Sequence, residues 1–229
     1  MPVRNRVRPT LRATLRDYAA LRPFQRITPD SVRGCPPGHG EPVLVLPGIL
    51  RGDAHTRRFR DALTMLDYQP FGWELGINLG PTQTLIEGLT VRLATLAQAH
   101  GKVRLVGFSM GGLFARFLAH ARPHLVAQVI TVCSPFRDAV DSAWLPVRPL
   151  LALWPHTDIG AMSYMVGQTP PVPWAALYSR LDGVVAWRKC QDHTAPGHCF
   201  EVKGRHKFAA VEEGVLRRVA ECLKEGVLF

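Results

Sequence analysis

Long apolar runs are missing from this 229-residue sequence. Nothing in it approaches the roughly 18 uninterrupted apolar residues of a membrane-spanning helix. The richest stretches, Val43–Leu50 and Leu150–Trp154, are far shorter. The start also lacks the apolar h-region and small-residue cleavage site of a secretory signal. Cysteines are few and odd in number (35, 133, 190, 199 and 222), and no CxxC pair occurs. That excludes the paired framework of a disulfide-stapled secreted domain and suits a reducing cytosol. What remains is a globular composition, 47% hydrophobic and 20% charged. A chain of this length buries about 70–75% of its unfolded surface, enough for a core without staples.

Acidic residues are also scarce, and unevenly so. Residues 1–33 carry eight Arg (4, 6, 8, 12, 16, 22, 26, 33) against two Asp, so +6 of the formal +10 lies there. Basicity therefore belongs to a basic N-terminal extension over residues 1–39, ahead of a main domain over 40–229. The extension is Arg-rich and acid-poor like a transit peptide, yet it has almost no Ser. Leu11, Leu15, Tyr18 and Leu21 fall at helical spacing with Arg12 and Arg16 between them. Such a helix either packs on the domain with its arginines in water or makes peripheral contact with an anionic membrane. The expected location is cytoplasmic, with that peripheral contact as an option. Only Tyr18 and Phe24 offer base stacking in the basic run and no recognition motif appears, so nucleic acid is not an expected partner.

Cys190, His193, His198 and Cys199 form the one local group of soft ligands. Their spacing fits no usual zinc pattern, and the loop carries Pro196 and Gly197. Zinc, a Cys190–Cys199 disulfide and unpaired thiols remain open readings, and no cofactor is called for.

From residue 40 onward short aliphatic runs alternate with helical periods. Strands are expected at Val43–Leu46, Gln69–Leu75, Val103–Gly107, Val126–Cys133, Ala175–Ser179 and Cys199–Lys203. Helices are expected over Ala54–Leu66, Gln83–His100, from the third strand to His120, and over Val211–Leu223. Continuous apolar strands separated by helices predict an α/β fold: a mostly parallel sheet of about six strands, covered on both faces. Residues 134–173 break the alternation with seven prolines and read as a small cap inserted between two strands.

Chemistry concentrates at Gly107-Phe108-Ser109-Met110-Gly111-Gly112. A buried strand runs into Gly-x-Ser-x-Gly and a helix follows at once. That context puts the serine on a strained turn, where glycines two residues to either side leave room for it. A nucleophilic serine needs a base, an acid and an oxyanion hole. In this topology the partners follow in the order Ser, acid, His, on loops after later strands. Of nine histidines, His206 stands just past the last strand, whereas His193 and His198 precede it. Asp182 follows the fifth strand directly, next to Gly183, with Asp192 as its rival. The backbone N–H groups of Met110 and Ile49 are the expected oxyanion donors, Leu50 being second choice. Leu50, Phe108, Met110, Trp144, Trp154 and Tyr164 are candidate walls of an apolar acyl pocket.

At this point the sequence resembles the α/β-hydrolase superfamily, specifically its small bacterial esterase/lipase-like members. The likeness lies in Leu46-Pro47-Gly48, Trp73–Thr82, Gly107–Gly112, Thr131–Phe136 and Tyr178–Trp187, in the family's order. It implies Ser109, Asp182 and His206 as the triad and a cap formed by 134–173. Where such proteins often read Gly-Ser-His, this chain has Gly204-Arg205-His206-Lys207. Two flanking cations disfavour the imidazolium or suit an anionic substrate.

The leading expectation is a serine esterase or lipase-like hydrolase acting on small-molecule or lipid esters through an acyl-enzyme. An acyltransferase using the same intermediate is one alternative. An inert hydrolase-fold scaffold, whose basic tail does the work, is another.

Overall fold

A computed structural model describes residues 9–21, 23–137 and 164–225. Six strands form one all-parallel sheet in the order β2-β1-β3-β4-β5-β6. They are β1 (Pro42–Leu46), β2 (Gln69–Gly72), β3 (Val103–Phe108), β4 (Val126–Val132), β5 (Trp174–Tyr178) and β6 (Cys199–Glu201). The helices are α1 (Leu11–Ala19), α2 (Asp53–Met65), α3 (Gln83–His100), α4 (Met110–Ala121) and α5 (Glu213–Glu225).

Alternate side chains of each strand serve two separate cores. Val43, Val45, Val106, Ile130 and Leu177 pack against α2 and α5 on one face. Leu44, Leu46, Leu105, Val129 and Ala176 pack against α3 and α4 on the other. All five residues of β1 and of β5 are buried, as the continuous apolar runs require of a sheet covered twice.

The edge strands are shorter than the sequence suggests. β2 ends at Gly72 and not Leu75, because Asp53 takes the next two backbone N–H groups. Trp73 N donates to its Oδ1 and Glu74 N to its Oδ2, each at 3.0 Å. Glu74 then turns at φ 60° and leaves the ladder. α5 begins at Glu213 and not Val211, since residues 206–211 form a 3-10 turn whose Val211 carbonyl accepts Ile27 N–H at 2.9 Å.

The chain leaves β1 for β2 on one side and returns to β3 on the other, which opens a crevice at the carboxyl ends of β1 and β3. Of the five non-glycine residues at positive φ among the described residues, three stand around that crevice: Leu50 after β1, Ser109 after β3 and Cys133 after β4. Strained backbone gathered at one end of a sheet points to a site.

Of the inserted segment, 138–163 lie outside the described residues, and so do the pocket candidates Trp144 and Trp154.

Candidate active site

Ser109 has φ 52° and ψ −119°, between the last residue of β3 and the first of α4. Its N–H extends the ladder to Val132 O at 2.8 Å, so the strain sits on a fixed backbone. The neighbouring chain is too close for a side chain at Gly111: a Cβ there would collide with the Leu46 carbonyl. The turn thus lies against the loop after β1, which brings nucleophile and oxyanion loop together.

His206 opens the 3-10 turn after β6. Its Nε2 lies 2.9 Å from Ser109 Oγ and its Nδ1 2.7 Å from Asp182 Oδ2. Asp182 is buried after β5, and its Oδ1 accepts the N–H groups of Val184 and Val185, both at 2.8 Å. One carboxylate oxygen is anchored by backbone and the other faces the imidazole. Asp192, the rival acid, is buried elsewhere, held by Arg137 and Thr194.

Burial pulls the His206 pKa down, but the charge and hydrogen bond of Asp182, with the charge of Asp17, leave it raised above the usual histidine value. Arg51 opposes them. The raised value runs against the expectation that Arg205 and Lys207 disfavour the imidazolium. Lys207 Nζ donates to the carbonyls of Ala20 (2.8 Å) and Tyr18 (3.3 Å), and the Arg205 guanidinium lies over the Phe24 ring at 4.3 Å. Both cations are turned onto the N-terminal segment.

Of the oxyanion candidates, Leu50 N is already committed to Asn78 O at 2.7 Å, which removes it. The Ile49 N–H has no acceptor among the described residues. The Met110 N–H opens α4, where a helix has no internal acceptor to offer. Asn78, fully buried, fixes the loop by donating to Pro47 O at 2.9 Å and by bonding Arg51 O through its own N–H at 2.8 Å. Phe108 lies in the core, buried edge-on against Phe59 with ring centroids 5.1 Å apart. Leu50 is exposed, Tyr164 still more so, and Met110 packs partly against the α3–α4 core.

Two further groups support Asp182 and His206, and neither is legible in the sequence. The buried Cys133 thiol lies near the Asp182 carboxylate, and burial, followed by the charge of Asp182, pushes its pKa far up, so it stays protonated there. Among the described residues, Cys133, Asp182 and His206 are the single group whose ligand atoms converge, within 4.8 Å. The four soft ligands at 190–199 do not converge. His198 stacks on Trp174, and Cys199 accepts the Asp192 N–H at 3.2 Å. All five cysteines are free thiols.

The second group is α1. It docks through its polar side, with Thr14 and Asp17 buried. Asp17 Oδ2 accepts Gly183 N and His206 N, each at 3.0 Å, and Oδ1 accepts Lys207 N at 3.4 Å. Thr14 Oγ1 donates to Gly183 O at 2.8 Å. The approach demands glycine at 183, where a Cβ would strike the Ala13 carbonyl. One buried carboxylate thus ties the loop of Asp182 to the loop of His206. The only early sign was an isolated acid in an arginine-rich run, and nothing in the sequence located its partners.

No family model matches the chain. A pimeloyl-[acyl-carrier protein] methyl ester esterase of Aliivibrio fischeri is 41% identical over 56 residues, 24% of this chain. That match spans about a fifth of the relative's length, 22%. Among solved structures, a metagenome-derived lipolytic enzyme of the LipS and LipT pair superposes with TM-score 0.61 at 15% identity. It covers 83% of this chain and 96% of its own. An esterase of Pyrococcus furiosus gives TM-score 0.60 at 16% identity, covering 83% and 85%. An extracellular α/β-hydrolase of a Paenibacillus species gives 0.52 at 13%, covering 82% and 100%. Six parallel strands in this order, a serine turn at the switch point and these neighbours make the chain an α/β-hydrolase in fold.

Proposed function

We propose that the protein is a serine hydrolase that cleaves carboxylic esters. The observation that carries this is the unbroken hydrogen-bonded line from Ser109 Oγ through both ring nitrogens of His206 to Asp182 (2.9 and 2.7 Å). Nε2 takes the hydroxyl proton as Oγ attacks the ester carbonyl. The oxygen of the tetrahedral intermediate gathers negative charge facing the N–H groups of Ile49 and Met110. Collapse breaks the bond to the alcohol oxygen, which leaves with the proton from Nε2. Water then repeats the cycle on the acyl-enzyme: His206 removes its proton, and free acid departs as Ser109 recovers its own. Asp182 keeps the proton-bearing nitrogen at Nδ1 and stabilises the imidazolium without taking its proton. Asp17 keeps the two partner loops at a fixed separation through backbone N–H groups from both.

The esterase and lipase names of its structural neighbours fit this reading, and so does that of the short curated match. A fluorophosphonate probe followed by peptide mass spectrometry tests it. The expected adduct is on Ser109, absent in Ser109→Ala and weak in His206→Ala. A folded protein that takes no label would defeat the reading. Release of free acid from p-nitrophenyl esters without an added acceptor then separates hydrolysis from acyl transfer.

A further inference from the structure

An amphipathic helix on a globular protein ordinarily turns its large apolar side chains to the core. α1 is inverted. Its buried residues are Thr14 and Asp17, bonded to the backbone of the acid and base loops. Its large apolar residues face solvent: Leu11 is 67% exposed and Leu15 60%, and Leu21 just beyond it is 91% exposed. Tyr18 and Phe24 are half-exposed on the same segment. At about 100° per residue, Leu11, Leu15 and Tyr18 fall within about 60° of one another, and Arg12 and Arg16 flank that stripe on the side away from Asp17. The helix cannot roll to bury the leucines without releasing Asp17 from three N–H donors, so the arrangement is locked.

We infer that the outer face of α1 is a docking surface for an anionic lipid interface. Charge selects that occupant. Residues 1–33 hold eight Arg and two Asp; Asp17 is buried and Asp30 pairs with Arg33 at 3.1 Å. The face is therefore leucine flanked by arginine, which matches acyl chains beneath anionic headgroups. A second copy of the chain would bring the same arginines against each other. The surface exists whether or not Ser109 is a nucleophile. If it is, docking places the triad beside the membrane, because the same short helix holds the loops of Asp182 and His206.

Flotation of the full-length protein with vesicles tests this, using phosphatidylcholine alone against equal parts phosphatidylcholine and phosphatidylglycerol, at physiological and high salt. The protein is expected to float with the anionic vesicles and to be partly released by salt. Leu11→Ser/Leu15→Ser/Leu21→Ser should weaken partitioning at least tenfold, with its thermal unfolding midpoint unchanged, because the side chains removed are exposed. Arg12→Gln/Arg16→Gln should weaken it by about thirtyfold on anionic vesicles and leave phosphatidylcholine alone unaffected. Failure of the wild type to float with anionic vesicles, or flotation of the leucine variant like wild type, would overturn the inference. So would a dimer in light scattering that the leucine replacements disperse, since it would assign the face to a second copy. Fluorophosphonate labelling of the same samples reports the triad separately.

Discussion

At the scale of single residues, the site depends on how a few buried acids are satisfied. Asp182 accepts two backbone N–H groups and faces the imidazole, so Asp182→Asn keeps much of the shape while losing the charge that stabilises imidazolium. Its kcat is expected to fall by about three to four orders of magnitude, measured on a p-nitrophenyl ester. The base must be neutral to accept the serine proton, and its pKa is raised. The acid limb of kcat/KM should therefore lie above the ordinary histidine value of about 6.5. Asp17 contributes to that rise through its negative charge, so Asp17→Asn should move the limb to lower pH. A purely structural role would leave the limb in place. The same variant replaces an acceptor of three N–H groups and should cost about 1–3 kcal/mol in urea unfolding.

At the scale of elements, two helices carry more than their own burial. α4 is anchored by Arg116, fully buried, with Nε on Val166 O and Nη2 on Gln168 O, both 2.6 Å away. Its guanidinium lies 3.9 Å from the Phe136 ring centroid, and burial pushes its pKa down to about 9. The helix of the nucleophile is thus tied to the residues on either side of the insertion. Arg116→Ala would leave the Val166 carbonyl unpaired and Gln168 O with only the 3.4 Å contact to His120 Nε2, and would open a cavity beside the rings of Phe136 and Trp174. A loss of at least about 3 kcal/mol is expected. The serine turn makes an equally sharp demand: Gly111→Ala sets a methyl into the Leu46 carbonyl and should cost about 1–3 kcal/mol or more in chemical denaturation, with labelling of Ser109 reduced. The glycines were readable as a motif; the partner that Gly111 clears, the Leu46 carbonyl of β1, was not.

At the scale of the whole molecule, the N-terminal segment is part of the site. Besides α1, Glu212 accepts the N–H groups of Phe24 and Gln25, and Ser31 donates to Glu213 at 2.6 Å. Deleting residues 1–22 leaves Ser109, Asp182 and His206 in the sequence. It removes the side chains of Thr14 and Asp17, which bond the acid and base loops, and the Tyr18 carbonyl that accepts Lys207 Nζ. The truncated protein should retain its sheet by circular dichroism yet lose at least tenfold in kcat, with a smaller change in KM. An unchanged kcat would show that the two loops hold each other without α1.

The covered parallel sheet and Ser109, Asp182 and His206 as candidate nucleophile, acid and base were legible in the sequence because they rest on local signals, whereas the order of the strands was not. Apolar runs too continuous for a one-sided sheet, a Gly-x-Ser-x-Gly between strand and helix, and single titratable residues just past strand ends each speak within a few positions. What only the tertiary structure decided involves partners far apart in the chain. Asp17 meets His206 across 189 positions and Gly183 across 166, and Asn78 claims the N–H of Leu50. Arg205 and Lys207 look like neighbours of the base in sequence, yet they spend their charge on an aromatic ring and two carbonyls of the N-terminal segment. The reversed face of α1 belongs to the same class. Helical spacing reveals that a helix has an apolar stripe and a polar one. Which of them is buried depends on whether the docking surface offers apolar side chains or unpaired backbone N–H groups, and here the loops of the acid and the base offered the latter.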